Sequence, residues 1–222
     1  RLNPRYDVRV FTALPRALTS NAPNLFVLAG DSKVIDVFDN RIRTHRQLEF
    51  PGQLPVKSLS ISMLGTYLAA LGNNADLFIY TLGDSSAPYL VRLSDAQIQE
   101  IGFSEKDDRL AVTAGNKLGL LQIETPRFIY QTVLFGPEFF GYSSDRQFLI
   151  TRSSSTIYVY EAPTLQQVTR IATIDAPFVV ASAGVTPGAE YVIARDRNGW
   201  LAQWNVKAKS CLAWFRAHDV QV

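Results

Sequence analysis

Cysteine occurs once in the 222 residues, at Cys211, so no disulfide can form within the chain and a cysteine-rich zinc site is excluded. Histidine occurs twice, at His45 and His218, which excludes a centre built on three histidines. Methionine occurs once, at Met63. The chain opens at Arg1, which reads as a chain that has lost its initiator region or as a portion excised from something longer. No charged-then-apolar leader is visible. No apolar run approaches the ~20 residues of a helical membrane span; 178–185 is short and contains Ser182 and Gly184. An excess of one charge sign is missing too. Lys and Arg number 22 against 20 Asp and Glu, and a net charge of +2 is too small to declare a nucleic-acid partner. With so little cysteine, the expected setting is a reduced intracellular compartment, cytoplasm or nucleus.

Hydrophobic residues make up 47% of the chain and charged residues 19%, which is globular rather than disordered composition. Helical periodicity is nearly absent. Short runs of Val, Ile, Leu, Tyr and Phe alternate with Gly, Asn, Asp, Ser and Pro, the pattern of many short strands. Only 94–100 could pass for a helical turn, and 97–103 reads better as a strand.

These strands repeat in groups of four. Third strands are expected at 34–39, 77–80, 119–124, 156–161 and 200–205. Aligned on Phe38, Tyr80, Ile123, Tyr160 and Trp204, they recur at intervals of 42, 43, 37 and 44 residues, the spacing of a four-stranded propeller blade. Second strands are expected at 25–29, 67–71, 109–113, 147–151 and 190–194. Each leads to a turn holding Gly, Asn or Ser, residues that allow tight hairpins. First strands are expected at 8–11, 56–61, 98–103, 139–142 and 178–181. Fourth strands are expected at 46–50, 89–93, 128–135, 167–172 and 211–215, and 12–24 reads as a longer, proline-containing connection. A lone four-stranded sheet cannot cover both of its faces, whereas blades packed face to face can. Phe78, Tyr158, Trp200 and Trp204 are therefore expected between blades.

Two stretches carry a family likeness. Phe103-Ser104-Glu105-Lys106-Asp107-Asp108-Arg109-Leu110-Ala111-Val112-Thr113-Ala114-Gly115 resembles the strand–turn–strand core of a WD repeat. Tyr142-Ser143-Ser144-Asp145-Arg146-Gln147-Phe148-Leu149-Ile150-Thr151 resembles it as well. Phe38-Asp39 and Trp204-Asn205 stand where that family carries Trp-Asp, and Arg216-Ala217-His218-Asp219-Val220 is similar to the Gly-His region opening a further repeat. Only one boundary has a His, so the family's Ser/Thr–His–Asp–Trp network is largely missing. The resemblance, to a diverged WD-repeat-like β-propeller, implies an all-β fold of about five four-stranded antiparallel blades. The repeats are 6–50, 56–93, 98–135, 139–172 and 178–215, with 216–222 opening another blade. Because the family usually closes on seven blades, residues 1–222 are expected to form a single propeller domain or a partial propeller within a larger ring: the remaining blades lie outside this segment, or a partner supplies closure, or the ring closes on five.

The residues offer little for catalysis. A Ser or Cys nucleophile needs a base, most often His. His45 reads as part of a solvated turn, and His218 belongs to the repeat boundary. Asp107-Asp108 fits a turn, and Glu138 beside Gly136-Pro137 is a lone carboxylate where a glycosidase requires two. Asp31, Asp76 and Asp196 recur at turns without the ligand spacing of a calcium loop. No catalytic, metal or cofactor residues are assigned. The basic residues Lys33, Lys117, Arg195 and Arg197 lie in or beside second-to-third-strand turns, which gather at one end of a propeller. They are the candidate contacts for acidic or phosphorylated protein segments. The expectation is a non-catalytic interaction scaffold among the protein subunits of a larger assembly. A nucleic-acid-associated propeller subunit and a propeller hydrolase with axial carboxylates are the alternatives.

Overall fold

The computed structural model describes residues 17–19, 24–92, 97–104, 107–125, 127–133, 138–173 and 179–217. Their strands form five four-stranded sheets, each wound in simple sequence order with antiparallel neighbours. The first blade holds β1 (Ala17–Thr19), β2 (Leu25–Ala29), β3 (Val34–Asp39) and β4 (Thr44–Glu49). The second holds β5 (Val56–Ile61), β6 (Tyr67–Gly72), β7 (Leu77–Thr81) and β8 (Tyr89–Val91). The third holds β9 (Ile98–Phe103), β10 (Arg109–Ala114), β11 (Lys117–Gln122) and β12 (Arg127–Val133). The fourth holds β13 (Glu138–Tyr142), β14 (Phe148–Ser153), β15 (Thr156–Glu161) and β16 (Gln167–Ala172). The fifth holds β17 (Ser182–Val185), β18 (Tyr191–Arg195), β19 (Trp200–Asn205) and β20 (Ser210–Arg216). The one helical element among the described residues is a single 3-10 turn, Pro187–Ala189.

The chain divides into two compact units, Arg1–Arg92 and Leu93–Val222. In the first unit, β1 packs beside β5. Val27, Ala29, Ile35 and Val37 of the first blade pack with Leu59, Ile61, Phe78 and Tyr80 of the second. In the second unit, β13 packs beside both β9 and β17. The fourth blade buries both faces. Leu149 and Tyr160 join Ala111, Leu118 and Leu120 of the third blade, while Ile150, Ile157 and Val159 join Val192, Ala202 and Trp204 of the fifth. Successive residues of a strand point to opposite faces, so a strand covered on both sides must be apolar at consecutive positions, as Leu149-Ile150 is.

Hydroxyl side chains set the hairpins that join first to second strands. The backbone of Ser62, Ser104, Ser143 and Thr186 each donates to the carbonyl five residues on, at 2.8–3.0 Å. Ser62, Ser143 and Thr186 also accept, at their side-chain oxygens, the N–H of that same residue, Tyr67, Phe148 and Tyr191. The hydroxyl thus extends the ladder by one bond and closes the turn. Thr186→Val is expected to lower stability by about 1–2 kcal/mol, because the Tyr191 N–H loses its acceptor. Denaturant unfolding of the two proteins measures the difference.

Two expected strands are displaced. The first strand of the fifth blade is β17 at Ser182–Val185 rather than 178–181, because the Thr186 hairpin pairs Val185 with Val192 and Ser182 with Arg195. The first strand of the first blade is β1, inside the stretch 12–24 read as a connection. It pairs Ala17 with Ala29 and Thr19 with Val27. The expected strand at 8–11 lies outside the described residues; of the expected opening of a further blade at 216–222, Arg216 ends β20 and 218–222 lie outside the described residues. Among the aromatics placed between blades, Phe78 and Trp204 are buried, but Tyr158 and Trp200 are half-buried. It is Tyr160, stacked 6.3 Å from Tyr158, that is buried between the third and fourth blades.

Candidate partner-binding site

Lys33 is exposed at the end of the β2–β3 turn of the first unit, and its carbonyl accepts the Phe50 N–H at 2.8 Å. The other three basic candidates belong to the second unit. Lys117 opens β11 after the two-residue turn Gly115-Asn116 and is half-buried. Gly115 has φ 61°, the left-handed conformation that this turn requires. Arg195 closes β18, Arg197 stands in the β18–β19 turn, and both are exposed. Between them Asp196 is buried. Its Oδ1 accepts the N–H groups of Asn198 and Trp200, each at 2.8 Å. This clamp turns Asp196 inward and leaves Arg197 outward.

A cavity of about 800 Å³ opens between the fourth and fifth blades, and Arg197 and Asn198 line it. Its other walls are Glu138 and Arg152 of the fourth blade, and Val179, Val180, Ala181 and Trp200 of the fifth. Arg152 is a strut rather than a free cation. Its guanidinium donates to Glu138 Oε2 at 2.5 Å and to the Val180 carbonyl. Glu138, the lone carboxylate of the sequence analysis, is therefore committed to an ion pair. Arg197 has no hydrogen bond or ion pair from its guanidinium to any described residue and is the cation this cavity can offer. Trp200 supplies a flat apolar wall, backed by Trp214 with ring centroids 5.1 Å apart. Nothing in Leu149-Ile150-Thr151-Arg152 singled out Arg152 as a bridge, since its partners lie 14 and 28 residues away.

Polar ties cross blade boundaries nearby. Tyr142 Oη donates to the Gly102 carbonyl at 3.3 Å, and the buried Arg146 donates to the Ser104 carbonyl at 3.2 Å. Burial holds the Arg146 guanidinium below its ordinary value and raises the Tyr142 hydroxyl. Asp145 accepts from the Ser143 hydroxyl and, across the boundary, from the Gly188 N–H at 3.3 Å. The Ser143 hydroxyl is the first cause holding the Asp145 carboxyl below the usual carboxylate range, with the N–H groups of Gln147 and Gly188 adding to it. The folded-state value is depressed, so the unfolded chain takes up the proton first on acidification. This tie therefore stabilises the fold above about pH 4 and is lost as pH falls through the lower folded-state value. Asp145→Asn is expected to lower stability modestly in the neutral region and leave the acid end little changed, so that the acid limb of the stability–pH curve flattens, which denaturant midpoints measured from pH 2 to 7 would show.

His45 is not in a solvated turn. It sits on β4 opposite Phe38, stacked at 4.5 Å, with Nε2 2.8 Å from Asp36 Oδ1, which also accepts from Gln47 Nε2 at 3.0 Å. The alternation of β3 and β4 brings Asp36, Phe38, His45 and Gln47 to one face of the first blade. Asp107 and Asp108 occupy the β9–β10 turn as read from the sequence. Among the described residues no three His, Cys, Asp or Glu side chains gather where a metal ion could bind, and no helix is long and apolar enough to cross a membrane.

No sequence-family model matches this chain, and no curated protein matches it. Solved structures do. The β-propeller domain of Cps50 (Swd1) from Myceliophteria thermophila superposes with a TM-score of 0.77 at 12% identity, over 93% of this chain and 74% of that one. A chain of the Mitotic Checkpoint Complex superposes with a TM-score of 0.73 at 12% identity, over 95% of this chain and 69% of that one. At such identity the likeness speaks for the fold, and the fold is that of a β-propeller.

Proposed function

We propose that this chain is a non-catalytic propeller scaffold that docks protein segments within a larger assembly, and that the acidic or phosphorylated part of such a segment binds at Arg197. The observation that carries this reading is the pairing pattern of the cavity. Arg152 and Glu138 satisfy each other, Asp196 is absorbed by its own turn, and Arg197 remains unpaired in the same lining as Trp200. A carboxylate or phosphate would meet a planar guanidinium, and an adjacent apolar side chain would meet the indole. Arg195 and Lys117 add positive potential within the same unit, and Lys33 occupies the equivalent turn of the first blade. Repetition of one rigid unit with variable loops suits such docking. In support, one of the similar structures is a chain of a multiprotein complex.

The test is affinity isolation of partners from cell extract, followed by binding measurements on Arg195→Glu/Arg197→Glu. Exposed contacts are individually weak and screened by salt. The charge reversal should slow association about tenfold or more and flatten the salt dependence, with melting unchanged. Unchanged affinity and salt dependence would remove Arg195 and Arg197 from the interface. Retention of nucleic acid alone, with a steep loss of binding in salt, would favour the nucleic-acid reading instead.

A further inference from the structure

The outermost strand of a blade carries unpaired N–H and C=O groups along one side, and such edges recruit other strands unless something blunts them. β4 turns Thr44, His45, Arg46 and Gln47 to solvent. β8 has only three residues and follows Pro88. β16 exposes Gln167 and Arg170. β20 lacks these devices. It is seven residues long, contains neither charge nor proline from Ser210 to Phe215, and leaves Leu212, Trp214 and Phe215 exposed at 54, 51 and 56%. The sheet order ends at β20, so among the described residues no strand pairs with its outer side. A bulge opposite Gln203 and Trp204 sets Leu212 out of register, and 213–216 continue regularly.

We propose that β20 receives an extended apolar segment of a partner protein, flanked by acidic residues, as a fifth strand. Main-chain hydrogen bonds to the outer edge of 212–215 supply affinity, and alternate side chains of the segment pack beside Trp214 on one face and Phe215 on the other. Charge selects the occupant. From Asn198 to Ala217 the chain carries Lys207, Lys209 and Arg216 and no Asp or Glu. Lys207 and Lys209 stand at one end of the strip and Arg216 at the other. A second copy pairing antiparallel on this edge would set the lysine end of one strand against the Arg216 end of the other, and like charges placed opposite are unfavourable. Acidic flanks reverse that term. This inference rests on the β20 edge and not on Arg197.

The full chain is offered two synthetic pools of peptides about ten residues long, a length that spans one strand and its flanks. Val, Ile, Thr and Phe alternate in the centre, with Asp and Glu at both ends of one pool and Lys at both ends of the other. The three tryptophans, Trp200, Trp204 and Trp214, lie on β19 and β20, so their emission reports this site directly. The acid-flanked pool should be captured about tenfold or more over the lysine-flanked pool, a preference that shrinks in high salt. Backbone N-methylation of a captured peptide should weaken it about tenfold or more, since it deletes edge hydrogen bonds. Leu212→Thr/Phe215→Thr, shown to melt like the parent, should abolish capture, whereas Arg195→Glu/Arg197→Glu should retain it. The proposal is overturned if neither pool is enriched, if N-methylation has no effect, or if capture survives Leu212→Thr/Phe215→Thr. Concentration-dependent self-association abolished by that variant would assign the edge to a second copy and overturn it as well.

Discussion

Trp204→Ala is expected to lower stability by about 3–5 kcal/mol, the range for removing a large aromatic from a packed interior. Trp204 is 1% exposed and lies in the cluster that joins Ile150, Ile157 and Val159 to Val192, Ala194 and Ala202. It pairs with Val192 on one side and with Cys211 on the other, so strands of the same blade surround its base while the fourth blade covers its face. No smaller neighbour can collapse into the space, because those on its own sheet are fixed by ladder hydrogen bonds. At roughly 2–4 °C per kcal/mol for a chain of this size, the midpoint should fall by about 6–20 °C. Thermal unfolding followed by circular dichroism, which does not depend on the deleted fluorophore, measures it. A loss below about 1 kcal/mol would mean that the fourth and fifth blades do not meet at this residue.

Phe50→Ala should cost a similar ~3–5 kcal/mol, for a more local reason. The Phe50 ring is fully buried in the first unit, edge-on to Phe78 with centroids 5.3 Å apart. Two glycines make room for it. A Cβ added to Gly52 would stand 2.3 Å from Phe50 Cε1, and one added to Gly72 would stand 3.1 Å from its Cζ and 2.8 Å from Asn74 Oδ1. Gly52→Ala alone should therefore cost about 1–3 kcal/mol through overpacking. In the Phe50→Ala background the same substitution should cost far less, because the ring it strikes is gone. That non-additivity, read from a double-mutant cycle in denaturant, isolates the ring–glycine contact. Additive losses would show that Gly52 is constrained by something other than Phe50.

Much of this architecture is legible in the chain itself. The third strands are spaced by their own period, and Val34–Asp39, Thr156–Glu161 and Trp200–Asn205 stand where that period places them. Hairpins are local. Gly115-Asn116 turns β10 into β11 through the residues present at the turn, so a reader of the sequence sees the same determinants as the folding chain. A further signal was present but unused. Ser62, Ser104, Ser143 and Thr186 stand five residues before β6, β10, β14 and β18, and alignment on Thr186 places β17 at Ser182–Val185 instead of on the apolar run before it. β1 escaped because it is three residues long and stands between Pro15 and Pro23, where composition argues for a loop.

The candidate site divides along the same line. That Arg195 and Arg197 flank a turn follows from the strand pattern, and so does the half-apolar character of β20. Which cations are spent and which are free is decided by tertiary structure. Arg152 on β14 and Arg197 in the β18–β19 turn are the same residue type lining one cavity, yet one is held by Glu138 and the Val180 carbonyl while the other is exposed. His45 likewise reads as a turn residue until β3 and β4 pair and set it over Phe38 and beside Asp36. The physical reason is one of range. Strand period and turn chemistry act over a few residues and are written in consecutive letters. Side-chain pairing across blades joins positions separated by 28 to 54 residues, and it depends on distances and burial that exist only once the sheets have packed.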